Sequence, residues 1–345
     1  RIGKLNHSRN IDSIYVVDCS GSDTESTFFT LKDVHLDVQA YELHDPIHTD
    51  GQNHDISTAT AGEEDEDMAA QVRVTQLPSK QLVGIWDSLI FDEPVPARLL
   101  RFTTRMMSIM KHKDLNTTIM NWNRLILLHG PPGTGKTSLC RALAQKLTIR
   151  LGRHFTHGKL VEVNSQTMLS KWFGESGKLV GKMFEQINAM ADDEDTLVCV
   201  LIDEVETLTG SREKAASGNE VGDALRATNQ LLTALDRLKH RPNVMVFCTS
   251  NLLCTIDSAF LDRVDIKQYI PNPCASAAYE ILRSCFNEMV RCKLLVPIDD
   301  PSDVLDDDSL DCLMAMHQQQ PGSDWEFMNT FSFPTLAEVN IRLWN

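Results

Sequence analysis

Residues Gly130, Pro131, Pro132, Gly133, Thr134, Gly135, Lys136 and Thr137 spell a G-x-x-x-x-G-K-[ST] phosphate loop. An apolar run of strand length, Leu125 to Leu128, comes just before it. After it Leu139, Ala142, Leu143 and Leu147 recur at helical spacing. Strand, glycine loop and helix in that order confine the chain to an α/β fold. The glycines let backbone N–H groups turn inward around phosphate oxygens without Cβ clashes. The following helix aims its positive end at the same oxygens. Lys136 is then placed to reach β- and γ-phosphates, and the Thr137 hydroxyl to ligate Mg²⁺. ATP and Mg²⁺ are the implied ligands.

Further strands are expected at Leu160–Val163, Leu197–Ile202, Val244–Thr249 and Ile266–Ile270, with helical segments between them. One such segment runs from Glu175 to Met190, where Leu179, Val180, Met183, Phe184 and Ile187 share a face. Strands alternating with helices imply a parallel sheet covered on both sides, with ligands at the carboxyl ends of its strands. A helix is expected over Ala275–Leu295, whereas residues 296–345 suggest no element. Three regions follow. Residues 1–75 read as a small N-terminal α/β domain with strands at Ile11–Cys19 and Thr30–Leu43, and with an acidic linker over about 44–70. Residues 76–272 read as the large α/β domain. Residues 273–345 read as a partial helical lid.

Charge narrows the partners. The net charge is −15, and Asp33 to Val72 carries eleven acidic residues and no Lys or Arg. Sequence-independent nucleic-acid binding needs a basic surface, so direct binding of that kind is not expected. No apolar run is long enough for a membrane helix, and none is expected. Nine cysteines lie scattered without a Cys-x-x-Cys pair. Cys140, Cys199, Cys248 and Cys285 fall in expected core elements, which suits packed thiols better than disulfides or zinc. The start at Arg1 lacks Met and an apolar leader, as an interior stretch of a longer chain would.

Four more segments carry chemistry. The apolar run Leu197–Ile202 ends in Asp203 and Glu204. There Asp203 would hold Mg²⁺ and Glu204 would orient and deprotonate an attacking water, since phosphoryl transfer needs mainly positioning and charge stabilisation. The run Val244–Thr249 leads to Asn251, either a group that contacts the γ-phosphate or lytic water, or a turn residue. Arg263 stands between Asp262 and Asp265, either as a surface ion-pair residue or as an arginine finger. Trp172 and Phe173, between Lys171 and Gly174, either close an apolar cluster or form a gripping loop.

Phosphate loop, aromatic pair, Asp-Glu strand, Asn and Arg occur in the order of the AAA+ ATPases, which the chain resembles. That resemblance implies a ring, usually a hexamer, with nucleotide between subunits. It implies that Arg263 acts on a neighbour's nucleotide, that Asn251 is the sensor, and that Trp172 and Phe173 line a pore that grips polypeptide. Over about Gln81 to Leu295 the chain resembles the pachytene checkpoint protein 2 family within them. The segments that carry this are Gly84–Asp92, Trp122–Ser138, Ala142–Leu151, Ser170–Val180 and Asp262–Ile270. This branch implies ATP-driven unfolding of HORMA-domain proteins, with an adaptor, in meiotic chromosome-axis and spindle-checkpoint control, in nucleus and cytoplasm. Two departures stand out. Leu261 and Asp262 occupy the place of a first finger arginine. The Gly-x-Arg sensor of the family's lid has no counterpart after Pro273, and the chain is expected to stop short of it. The alternatives are a nucleotide-regulated binding module and a DNA-directed loader. Intact Glu204 and Arg263 argue against the first, and the acidic balance and the Lys171-Trp172-Phe173 loop against the second.

Overall fold

The computed structural model describes residues 39–45, 72–112, 122–165, 176–209, 220–292, 295–296 and 342–343. In chain order the principal elements are β1 (Val72–Leu77), α1 (Ile85–Ser88), α2 (Val95–Met110), β2 (Leu125–His129) and α3 (Lys136–Arg150). Then come β3 (His157–Asn164), α4 (Ser176–Met190), β4 (Thr196–Asp203), α5 (Glu220–Leu238) and β5 (Val244–Ser250). The last are α6 (Ser258–Leu261), β6 (Ile266–Tyr269), α7 (Ala275–Arg291), β7 (Leu295–Val296) and β8 (Arg342–Leu343).

The main sheet has six strands in the order β1-β3-β4-β5-β2-β6. All neighbours are parallel except β1, which runs antiparallel to β3 along one edge. The parallel strands β2, β4 and β5 are buried on both faces, which is why they read as continuous apolar runs. Successive side chains point to opposite faces. Leu125, Leu127, Val198, Val200, Ile202 and Val246 pack on one side with Val180, Met183 and Phe184 of α4 and Leu231 and Leu235 of α5. Ile126, Leu128, Cys199, Leu201, Met245 and Phe247 pack on the other with Leu99 and Met107 of α2 and Leu139 and Leu143 of α3. The result is the three-layer α/β arrangement that the motif order implied.

The sequence reading placed no strand at Val72–Leu77, and its domain border at 75/76 falls inside that strand. Three other expectations are corrected. Residues 39–43, assigned to a strand ending at Leu43, form none; Gln39 instead donates from its side chain to Arg150 O at 2.9 Å. The rest of that segment, and the strand expected at Ile11–Cys19, lie outside the described residues. The helix expected to reach Leu295 ends at Arg291, and Leu295–Val296 pairs antiparallel with Arg342–Leu343. Val296 precedes Pro297, which favours extended backbone. Cys285 is exposed, unlike the buried Cys140, Cys199 and Cys248, because α7 buries only Ala277 among its residues.

One buried cation ties three elements together. Arg124 is 1% exposed and adopts φ 57°, in the left-handed region. Its guanidinium donates to Leu238 O at 3.2 Å, Lys239 O at 2.8 Å and Arg241 O at 2.9 Å, the carbonyls that end α5. Its Nε donates to Val244 O at 2.9 Å, where β5 begins. Cationic donors suit the negative end of a helix. Burial pushes the guanidinium down to about 10, with Asp265 opposing that shift. Replacing Arg124 by Ala strands these carbonyls inside the core. Arg124→Ala is expected to cost about 3 kcal/mol of unfolding free energy in urea titration, without change in nucleotide contacts.

Candidate active site

The strand order brings the site together. β5 lies between β4 and β2, so the loops that follow these three parallel strands open side by side at the carboxyl end of the sheet. The phosphate loop leaves β2 with Gly130 at φ 146°, Gly133 at φ 77° and Gly135 at φ 82°. Thr134 Oγ1 donates to Pro131 O at 3.0 Å and closes the turn. Gly135 is the N-cap of α3, so Lys136 and Thr137 open the helix. Lys136 Nζ donates to Gly130 O at 2.9 Å and Pro131 O at 2.6 Å, which folds its charge into the concavity of the loop. Burial lowers the Lys136 pKa, and the Glu206, Asp203 and Glu204 carboxylates oppose that shift. His129, just before the loop, is also lowered, by burial and then by Lys136.

Asp203 ends β4. Its Oδ1 accepts from Thr137 Oγ1 at 2.9 Å and from Thr249 Oγ1 of β5. Glu204 follows at φ 52°, and its backbone N–H donates to Thr249 Oγ1 at 3.0 Å. Ser165, 2% exposed, donates to Asp203 O at 2.5 Å and Glu204 O at 3.2 Å. Asn251 lies just past β5, and its backbone N–H donates to Glu206 Oε1 at 2.8 Å. Glu206 Oε2 is buried with no hydrogen-bond partner among the described residues. The hard oxygens of Thr137 and Asp203, already within hydrogen-bond distance, are a donor set that suits Mg²⁺. The loop amides, Lys136 and these two oxygens are what a bound ATP–Mg²⁺ would need.

Lys136, Thr137, Asp203, Glu204 and Asn251 thus converge. Arg263 stands apart from them. It pairs with Asp236 of α5 through Nε at 2.9 Å and Nη2 at 2.8 Å, and Nη1 donates to Ala259 O at 2.7 Å. The Arg263 hydrogen bonds hold the Asp236 carboxyl below its usual range. Trp172 and Phe173 lie outside the described residues. The sequence reading missed Thr249, Glu206 and Ser165. Thr249 looked like a strand-forming threonine, and only strand register reveals what its hydroxyl touches. Glu206, two residues after Glu204, carried the one signal open to a closer reading.

The segment that precedes α2 also meets the loop. Leu89 Cδ2 lies 3.3 Å from where a Gly135 Cβ would stand. Trp86 packs in the same core layer as α3, with Lys146 Nζ 5.8 Å over its ring. At the entry to α7, Cys274 caps the helix and ties to Asp92 through its backbone N at 3.3 Å and its thiol at 2.7 Å. Residues 84–92 therefore run between the phosphate loop and the entry to α7.

Comparison with known proteins gives this site its class. The ATPase family associated with various cellular activities (AAA) matches residues 126–272, the span from β2 through β6. The chain belongs to the AAA ATPases. Within them its relatives are pachytene checkpoint protein 2 homologs. It is 43% identical to the Homo sapiens homolog over 290 residues, 84% of this chain and 65% of that one. It is 49% identical to the Xenopus tropicalis homolog over 235 residues, 68% of this chain and 54% of that one. The structure of C. elegans PCH-2 superposes with a TM-score of 0.59 at 43% identity, covering 67% of this chain and 57% of that one. The Trip13-containing E. coli MS115-1 complex shares the fold, with a TM-score of 0.52 at 22% identity, covering 66% of this chain and 81% of that one. The chain spans less than two thirds of the length of these two curated relatives.

The loop geometry separates two kinds of glycine. A Cβ on Gly130 would stand 2.1 Å from Ile270 O, whereas a Cβ on Gly133 meets nothing within 4 Å. Gly133→Ala carries only the left-handed backbone penalty, about 1–2 kcal/mol. Gly130→Ala adds a backbone collision and is expected to cost about 3 kcal/mol or more. Thermal unfolding of the two variants checks the order, and nucleotide binding should fall further for Gly130→Ala.

Proposed function

We propose that this chain hydrolyses ATP and uses the energy to remodel HORMA-domain proteins, working as a homo-oligomeric ring, a hexamer in the arrangement usual for AAA+ proteins. The observation that carries the catalytic half is the contact between Thr137 and Asp203 at 2.9 Å. It joins the phosphate loop to the acidic end of β4, so one small volume serves triphosphate and metal together. Bound there, Mg²⁺ would clamp phosphate oxygens and spread their developing charge. Thr137 and Asp203 hold its place. The loop amides and Lys136 bind the phosphates, and the lysine charge is available on release from Gly130 O and Pro131 O. Glu204, one residue past the metal carboxylate, is the base that orients and deprotonates water. Asn251, held through its backbone by Glu206, serves as the sensor of the γ-phosphate.

The remaining groups complete the reading. Arg263 acts as the finger on a neighbouring subunit's nucleotide, which requires it to exchange Asp236 for phosphate oxygens. Trp172 and Phe173 grip the polypeptide in the ring's pore. The substrate class is supported by the resemblance to pachytene checkpoint protein 2 homologs and by the E. coli HORMA:CdnC:Trip13 complex, one chain of which shares this fold. In this reading the cargo is a HORMA protein of the meiotic chromosome axis or the spindle checkpoint, in nucleus and cytoplasm, with an adaptor delivering it. Residues 1–75 take part in its recognition, and residues 273–345 form the lid.

Two measurements test the proposal. Glu204→Gln should reduce ATP turnover about a hundredfold or more while nucleotide still binds; normal turnover would remove Glu204 as the base. Subunits carrying Arg263→Ala and subunits carrying Lys136→Ala should each be inactive alone, since a missing finger costs about a thousandfold or more. Mixed in one preparation they should recover turnover, because some sites then pair an intact loop with an intact finger. No recovery at any ratio would contradict a shared site.

A further inference from the structure

Thr249 is 2% exposed and sits at the carboxyl end of β5, between the strand that feeds the phosphate loop and the strand that ends in Asp203. Its hydroxyl makes two contacts of opposite sense. It donates to Asp203 Oδ1, the same oxygen that accepts from Thr137. It accepts the backbone N–H of Glu204 at 3.0 Å. Glu204 holds φ 52°, a conformation that a residue with a Cβ seldom adopts unless its surroundings impose it. Three features therefore rest on one oxygen: the direction of the Asp203 carboxylate, the path of the backbone at Glu204, and the satisfaction of an N–H beside the core.

We infer that Thr249 is a positioning residue that sets both the metal carboxylate and the base. The inference rests on the ATPase reading above and assigns a determinant of that site. Thr137, in the first turn of α3, and Thr249, at the end of β5, donate to the same Asp203 oxygen, so the carboxylate is fixed in rotation by two donors. When Mg²⁺ is bound by Asp203 and Thr137, the Thr137 hydroxyl serves the metal and Thr249 remains the donor that orients the carboxylate. A serine supplies the same hydroxyl. A valine supplies the same volume without it, leaving the Glu204 N–H unpaired and the carboxylate free to turn. A buried donor without its acceptor is costly. The Glu204 backbone relaxes in answer, and the base leaves its position.

The test uses the full chain and a fluorescent ATP analogue, with binding read in EDTA and in Mg²⁺. In Thr249→Val, affinity in EDTA should match wild type, because the loop amides and Lys136 are untouched. The tightening caused by Mg²⁺ should shrink on the order of tenfold. Turnover at saturating ATP and Mg²⁺ should also fall on the order of tenfold or more, as a kcat effect from the displaced base. Thr249→Ser should restore both. A merely structural role would instead lower the melting temperature and weaken binding equally with and without Mg²⁺, and that result would overturn the inference. If Thr249→Val does not fold, Thr249→Cys keeps nearly the same volume with a weak donor and should show the same selective loss of Mg²⁺ response. Wild-type Mg²⁺ response and turnover in a folded valine or cysteine variant would also overturn it. If wild-type protein itself shows no Mg²⁺-dependent nucleotide binding, the ATPase reading fails with it. If wild type responds and the variant responds equally, only the role of Thr249 fails.

Discussion

The placement of β5 between β2 and β4 is the constraint on which the rest depends. In a sheet that ran in sequence order, β3 rather than β5 would separate β2 from β4, and Thr249 would not stand beside Asp203. The observed order places the two on either side of β5, so a threonine at its end reaches the Asp203 oxygen that Thr137 also meets. The buried apolar runs make this order rigid, because the central strands β2, β4 and β5 are covered on both faces. Arg124 then locks the start of β2 and the start of β5 to the end of α5. Rigidity at one end of the strands is what allows hydroxyls and carboxylates at the other end to be placed to a fraction of an ångström.

The parts that were legible in the sequence share a physical property. β2, β4 and β5 are buried on both faces, and a strand so placed reads as an unbroken apolar run. The glycine loop announces itself because only glycine tolerates the backbone angles at 130, 133 and 135. Asp203 and Glu204 were legible from their position after such a run. What escaped was set by contact rather than by composition. β1, Val72–Leu77, is an edge strand with mixed character that follows an acidic stretch, and only pairing with β3 defines it. Arg124 precedes the strand β2, yet its side chain is the cap of a helix more than a hundred residues away in sequence.

The same distinction explains Cys285 and Arg263. Periodicity along α7 shows an apolar face, but it carries no information about whether another layer covers that face. Arg263 sits in a sequence context that admits two roles, and the structure shows the usual one, the bidentate pair with Asp236. Ion pairs at partly exposed positions are worth little, about 0–1 kcal/mol. An arginine held so weakly is easily transferred to a more strongly charged partner, so the observed pair and the finger role are compatible in energy.

The close approach of Ile270 O to Gly130 has a consequence for how the molecule communicates. The carbonyl belongs to the chain segment that runs directly into α7, and no side chain stands between it and the phosphate loop. Backbone touches backbone, and neither surface can yield by choosing another rotamer. A displacement of the Ile270 backbone is thus handed to the loop, with no side chain at the contact to absorb it. The missing methyl group at position 130 is, in mechanical terms, the bearing surface of a stiff joint.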